Sequence, residues 1–67
     1  MKYQRIENRN GYQNITIVDD SGNYEQFNKW GDGKTTHHFK TTLQKMGWGS
    51  VKEFLREKNR FKKVVTV

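Results

Sequence analysis

The chain of 67 residues lacks cysteine and proline entirely. Without cysteine it can form no disulfide bridge, no thiolate zinc site and no thiol nucleophile, and this absence fits a reducing cytoplasm. No proline, repeat or low-complexity tract divides the chain, so residues 1–67 are expected to form a single small domain.

Long apolar runs are also missing. The first ten residues, MKYQRIENRN, contain nothing that resembles the apolar core of a signal peptide. The apolar stretch at residues 15–18 is far too short to span a bilayer. The sequence therefore predicts a soluble, cytoplasmic protein with no membrane partner.

Acidic residues are few. Seven aspartates and glutamates face 13 lysines and arginines, which gives a formal charge of +6. So large a basic excess on so small a domain favours a polyanionic partner, DNA or RNA.

The segment WGDGKTTHHF, residues 30–39, is the nearest approach to a catalytic motif. Its Gly33-Lys34-Thr35 run copies the end of a phosphate-binding loop, but Asn28 stands where that motif requires glycine. His37 and His38 are adjacent, so on a helix they point about 100° apart and cannot chelate one ion together. The sequence predicts a loop leading into a helix, with no enzyme activity, cofactor or metal. Lys34, beside the free backbone amides at the start of that helix, would suit binding of a nucleic-acid phosphate.

The first thirty residues carry strand signals. Asn10-Gly11 is a hairpin pair suited to a type I′ turn, and it places Ile6 opposite Ile15. A three-residue loop at 21–23 would place Ile17 opposite Phe27. The pattern predicts an antiparallel meander over residues 2–9, 12–19 and 24–30, with the isoleucines on one face.

The apolar spacing then changes to that of a helix. Phe39, Leu43 and Met46 lie at i, i+4 and i+7, which predicts a helix over residues 36–46 that ends at Gly47. Ser50 and Glu53 form a capping box, so a second helix is expected over 51–59. Residues 62–67 are β-prone, and an exposed edge there would be able to pair with another chain.

These elements predict an α+β domain of order β-β-β-α-α-β, in which two helices cover the isoleucine face of a three-stranded meander. By architecture alone, three strands followed by a helix resemble the sheet-reading DNA-binding domains of some integrases and plant factors. No residue of this chain carries that resemblance.

The predicted uncovered face carries aromatic and arginine residues, which suit nucleic-acid binding. Unpaired bases stack on aromatic rings, and guanidinium groups hold phosphates or base edges. The C-terminal third adds a basic surface that would contact phosphates. The candidate nucleic-acid-binding residues are Tyr3, Arg5, Arg9, Tyr12, Tyr24, Asn28, Trp30, Lys34, Lys52, Arg56, Arg60, Lys62 and Lys63.

Two other interpretations stay open. Tyrosine, tryptophan and arginine are also protein-interface anchors, so the same face would suit a small adaptor or inhibitor of the kind that phages and other mobile elements encode. Its partner would then be a protein with an acidic surface. Alternatively, the aromatic residues are only good strand formers and the charge only solubilises the chain.

Overall fold

The structure describes residues 1–64, and in this computed structural model five strands form one antiparallel sheet that carries a single short helix. The strand order across the sheet is β4-β3-β2-β1-β5. The predicted β-β-β-α-α-β order is therefore wrong: the meander has a fourth strand where the first helix was expected. The elements are β1 (Lys2–Arg9), β2 (Tyr12–Asp19), β3 (Asn23–Trp30), β4 (Thr35–Thr42), α1 (Val51–Glu57) and β5 (Lys62–Val64).

The first hairpin has the register that the sequence predicts. Ile6 pairs with Ile15, and Arg9 pairs with Tyr12 across a two-residue turn. Gly11 takes a φ of +87°, but no non-glycine residue within 1–64 has a positive φ. The turn is therefore not the expected type I′, which needs positive φ at both central positions.

The second hairpin turns one residue earlier than predicted, which shifts the strand pairing by two residues. Ile15, not Ile17, lies opposite Phe27, so the loop falls at residues 20–22. Gly22 supplies the positive φ of +87°, and its amide donates to the Asp19 carbonyl. Because the shift is two residues, every side chain keeps its predicted face.

The predicted helix over 36–46 is a strand followed by a turn. β4 pairs along β3, with an irregularity that leaves His38 as an extra residue between His37 and Phe39. Threonines at 35, 36, 41 and 42 favour an extended chain because their β-branched side chains restrict χ1 in a helix. Phe39 lies in β4, whereas Leu43 and Met46 lie in the turn after it, so the helical spacing of these three residues does not reflect a helix.

The second predicted helix is present and begins where expected. The Ser50 hydroxyl accepts a hydrogen bond from the Glu53 amide at 3.1 Å, and α1 ends at Glu57, two residues early. No helix within residues 1–64 has the length and apolar character needed to cross a membrane. The predicted C-terminal strand forms as β5 on the free edge of β1, while Val65, Thr66 and Val67 lie outside the described residues.

The helix packs on the face that was expected to be open, so the prediction that helices cover the isoleucine face is wrong, although Ile15 itself is only 7% exposed. Val18 and Tyr24 are buried against Phe54 of α1 and against Leu43. The aromatic rings select this face, because Phe54 meets Tyr24, Trp48 and Phe61 in edge-on contacts with centroids 5.2–6.2 Å apart. We call this side the helix-covered face. The opposite side, the open face, carries Gln4, Ile6, Asn8, Gln13, Ile15, Ile17, Glu25, Phe27, Lys29, His37 and Lys40.

Candidate functional site

The helix-covered face has one half that is buried under the helix and one half that is exposed. Tyr24 is only 6% exposed, so its ring belongs to the core and cannot stack on a base as predicted. Arg5 lies over the Phe61 ring at 5.2 Å, with 17% of its side chain exposed. Tyr3 is partly buried, and desolvation together with the Asp20 charge raises the pKa of its phenol. These three residues are buried or partly buried and are separated from the candidates at the other end of this face.

The exposed half holds a pair of aromatic rings on neighbouring strands. Tyr12 and Trp30 are paired across β2 and β3, and their ring centroids lie 4.8 Å apart with an interplanar angle of 40°. The indole nitrogen donates to the Thr36 hydroxyl at 3.0 Å, which fixes the ring orientation. Trp30 nevertheless stays 40% exposed. We call this region, with Arg9, Lys29 and Lys34, the aromatic end.

An arginine lies beside the two rings. Arg9 is paired with Tyr12 across the first hairpin, and its side chain is 52% exposed. The Glu7 carboxylate accepts from Arg9 at 2.8 Å and lies 3.0 Å from a terminal nitrogen of Arg5. One carboxylate thus serves two guanidinium groups, and the cluster keeps a net positive charge.

Amide side chains form the floor between the rings and the core. The Asn14 amide donates to Asn28 at 2.9 Å, while Gln26 donates to Asn14 and to the buried Thr16 hydroxyl. Asn28, a predicted binding residue, is therefore held in place by its neighbour. Such a connected network positions the strands beneath the rings and keeps these buried polar groups satisfied.

The aromatic end borders an open cleft of about 370 Å³. Lys29 and Gln13 line it together with Tyr12 and Trp30, although the sequence did not single out either residue. The hairpin register would have revealed Lys29, because the predicted pairing of β2 with β3 brings this end of both strands together. The Gly33-Lys34-Thr35 run forms the neighbouring β3–β4 turn, where Asp32 accepts from the Lys34 amide at 2.9 Å.

The C-terminal basic residues surround α1 and β5. None of them forms an ion pair with an acidic residue of the described chain, and all are exposed. They lie away from the Tyr12–Trp30 pair, so they extend the positive surface without joining the aromatic cluster. These residues are Lys52, Arg56, Arg60, Lys62 and Lys63.

The two histidines do not share a site. His37 lies on the open face, where its ring nitrogen is 3.3 Å from Glu25, and Lys40 is 3.5 Å from the same carboxylate. The hydrogen bond to His37 lowers the pKa of Glu25, partial burial opposes this effect, and Lys40 adds to it. Within residues 1–64 no group of three or more His, Asp or Glu side chains is placed to hold a metal ion.

Comparison with known proteins found no matching family model, no similar curated protein and no similar solved structure.

Proposed function

We propose that this protein is a small non-enzymatic module that binds DNA or RNA through the aromatic end. Unpaired bases would stack on Tyr12 and Trp30, and Arg9, Lys29 and Lys34 would hold the adjoining phosphates. The observation that carries the proposal is the Tyr12–Trp30 pair, with Trp30 40% exposed, beside the half-exposed guanidinium of Arg9, in a chain of charge +6.

The geometry favours unpaired bases over duplex. A ring can stack only on a base whose own face is free, and duplex bases are already stacked on one another. Trp30 is fixed by Thr36, so it presents its ring without the entropy cost of ordering a mobile side chain. We therefore propose single-stranded segments as the preferred ligand.

The remaining cations would supply affinity without sequence preference. Each phosphate neutralised by lysine or arginine releases condensed counterions, so binding weakens as salt concentration rises. Lys52, Arg56, Arg60, Lys62 and Lys63 are available for such contacts because they are exposed. They widen the proposed footprint beyond the aromatic end.

The proposal is tested by titrating a single-stranded oligonucleotide and its duplex while following tryptophan fluorescence. Trp30 reports the aromatic end, and Trp48, packed 5.2 Å from Phe54, reports whether the core stays folded. We expect quenching by the single strand, weaker binding of the duplex, and an affinity that falls log-linearly with salt.

Trp30→Ala should weaken oligonucleotide binding by about 1–3 kcal/mol, because one stacking surface is lost. Phe39→Ala is the matched control, since Phe39 is 44% exposed against 40% for Trp30 but lies outside the aromatic end. Affinity is measured by titration under equal salt. An unchanged affinity in Trp30→Ala would refute the proposed stacking.

Arg9→Ala should reduce the slope of log affinity against log salt by about one, as expected for loss of a phosphate contact. Lys45→Ala removes the same charge from the exposed loop between β4 and α1 and should change the slope less. Equal slopes for the two variants would contradict a role for Arg9.

A second candidate function is the binding of a larger protein through the same aromatic end. The observation in its favour is that tyrosine, tryptophan and arginine, the residue types that anchor protein interfaces, stand together at this end of the sheet. An acidic protein surface would then contact the lysines, with Trp30 and Tyr12 as anchors. This candidate gains support if no oligonucleotide binds even at low salt.

A further inference from the structure

The open face has an apolar row that no other element covers. Ile6, Ile15 and Phe27 are consecutive Cα partners on β1, β2 and β3, and Ile17 lies one row away. Ile6 is 47% exposed, Phe27 and Ile17 are partly exposed, and Ile15, between Ile6 and Phe27, is 7% exposed. The one helix of the described chain packs on the opposite side, so residues 1–64 provide no second layer here.

The chemistry of this row differs from that of the aromatic end. Two of its three members are isoleucines, which offer no planar surface on which bases could stack, and the Phe27 ring lies beside His37 with centroids 6.1 Å apart. An apolar row that is partly exposed and bordered by polar groups marks a protein interface more often than a nucleic-acid site. We therefore expect the open face to bind a different partner from the one that binds the aromatic end.

We propose that the open face binds a second copy of this chain, so that two sheets pack face to face across a two-fold axis. The axis would run across the strands along the row of Ile6, Ile15 and Phe27. Each of these three residues would then meet its own copy, and the apolar rows would bury one another.

The charges flanking this row favour the same arrangement. On β3, Glu25 lies on one side of Phe27 and Lys29 lies on the other. Rotation about the proposed axis brings Glu25 of one copy opposite Lys29 of the second copy, twice in the dimer. Lys40 meets Thr35, a neutral partner, and His37, which pairs with Phe27 in the axis row, meets its own copy. The rotation therefore sets no two lysines and no two carboxylates opposite each other in these rows.

A two-fold axis parallel to the strands is less favourable. It would superpose the outer strands β4 and β5 of the two copies, because both lie two strands away from β2. Lys40 and Lys62 occupy the same row of the sheet and would then lie opposite each other. Like charges placed opposite each other in a partly desolvated interface are repulsive, so we choose the first axis.

The available area is sufficient for a weak, specific dimer. Each of the strands β1 to β4 has eight residues. At about 4.8 Å between strands and about 3.3 Å per residue, the open face offers roughly 500 Å² per copy. Two copies would bury about 1,000 Å², which is below the range of stable interfaces and at the threshold for a weak one, at the usual separation of about 10 Å between packed sheets.

The test is sedimentation equilibrium of the full chain over a wide concentration range. We expect the mass to rise from the 8.0 kDa monomer toward twice that value. Ile6→Lys should raise the dimer dissociation constant about tenfold or more, since it places a charge in the apolar row. Met46→Lys is the matched control, because Met46 is 42% exposed in the loop after β4 and lies off the open face. Circular dichroism of both variants checks that they fold.

A charge exchange tests the axis itself. Glu25→Lys and Lys29→Glu should each weaken the dimer, and the double variant should restore it, because every Glu25–Lys29 contact is then re-formed with reversed sign. Failure of the double variant to recover would overturn the proposed axis. A dimer that Ile6→Lys leaves intact would overturn the proposed face.

A wild-type chain that stays monomeric at every concentration would overturn the proposal altogether. If that monomer instead bound vesicles containing phosphatidylglycerol, and Ile6→Lys abolished the binding, the open face would be assigned to a lipid surface. The two proposals share Lys29, which borders the cleft at the aromatic end and would pair with Glu25 in the dimer. Ile6 is not part of the aromatic end, so Ile6→Lys is the variant that tests the dimer separately from oligonucleotide binding.

Discussion

At the scale of single residues, Asp19 organises the turn between β2 and β3. One carboxylate oxygen accepts from the amides of Ser21 and Asn23 at 2.9 and 3.0 Å, and the other accepts from the Asn23 side chain at 2.9 Å. Partial burial opposes ionisation, but these hydrogen bonds and the Lys2 charge outweigh it and lower the pKa of Asp19 below its ordinary value. The ionised carboxylate therefore stabilises the folded state.

Asp19→Ala should lower the free energy of unfolding at neutral pH by about 1–2 kcal/mol, through loss of hydrogen bonds to a charged group. Because the folded pKa is depressed, this stabilisation is complete above the unfolded pKa and disappears as pH falls through the folded pKa. The difference between wild type and variant should thus shrink below about pH 4, in urea unfolding measured at several pH values.

Asp19→Asn separates the charge from the geometry, since it keeps an acceptor for the two backbone amides. It should retain part of the stability while losing the acid-dependent change. If the Asn variant showed the same acid dependence as wild type, the titrating group would have to be another carboxylate, such as Glu25.

Two glycines of the β3–β4 turn differ in backbone conformation alone. Gly33 has a φ of +89°, whereas Gly31 does not have a positive φ, and a Cβ at either position would meet nothing within 4 Å. Gly33→Ala should cost about 1 kcal/mol, while Gly31→Ala should be close to neutral. Thermal unfolding of the pair measures the difference. Equal effects would show that the left-handed conformation is not what Gly33 provides.

At the scale of secondary-structure elements, α1 depends on its cap. The helix has only seven residues, so it is too short to be stable alone and is held by Ser50 at its start and Phe54 in its middle. Ser50→Ala should lower the free energy of unfolding by about 1 kcal/mol, because the Glu53 amide loses its partner. Ser50→Asp, which preserves an acceptor, should restore most of the loss in the same urea titration.

The sequence correctly predicted the elements that short local motifs specify. It missed β4, where the apolar spacing favoured a helix and the residue types favoured a strand. Asn10-Gly11 with alternating residues was sufficient for the first hairpin, and Ser50 with Glu53 for the start of α1. In β4, helical apolar spacing competed with four β-branched threonines, and pairing with β3 decided the outcome. Edge pairing of this kind depends on a partner strand, which single-sequence periodicity does not reveal.

At the scale of the whole molecule, the sequence alone did not determine which face of the sheet the helix covers. Both faces carry apolar residues, and alternation alone does not say which one the helix takes. The edge-on packing of Phe54 against Tyr24 and Trp48 favours the tyrosine side, and it removed Tyr24 from the candidate site. Tyr12 and Trp30 lie outside this buried cluster, and Trp30 stays 40% exposed.

The small core makes the domain sensitive to loss of one ring. Within the described residues the buried apolar cluster comprises Val18, Tyr24, Leu43 and Phe54. Phe54→Ala should cost about 3–5 kcal/mol, a large part of what so short a chain retains. Phe39→Ala, at 44% exposure, should cost much less. Urea midpoints compare them, and similar losses would place the core elsewhere.

The pairing of Lys2 with Val64 brings together two strands from nearly opposite ends of the chain, whereas the three hairpins connect immediate neighbours. Closing a loop of so many residues costs more conformational entropy than forming a tight turn, and contacts between residues distant in sequence slow folding. We therefore expect the meander to assemble first. Attachment of β5, the last and least local event, would set the speed at which the native state is completed.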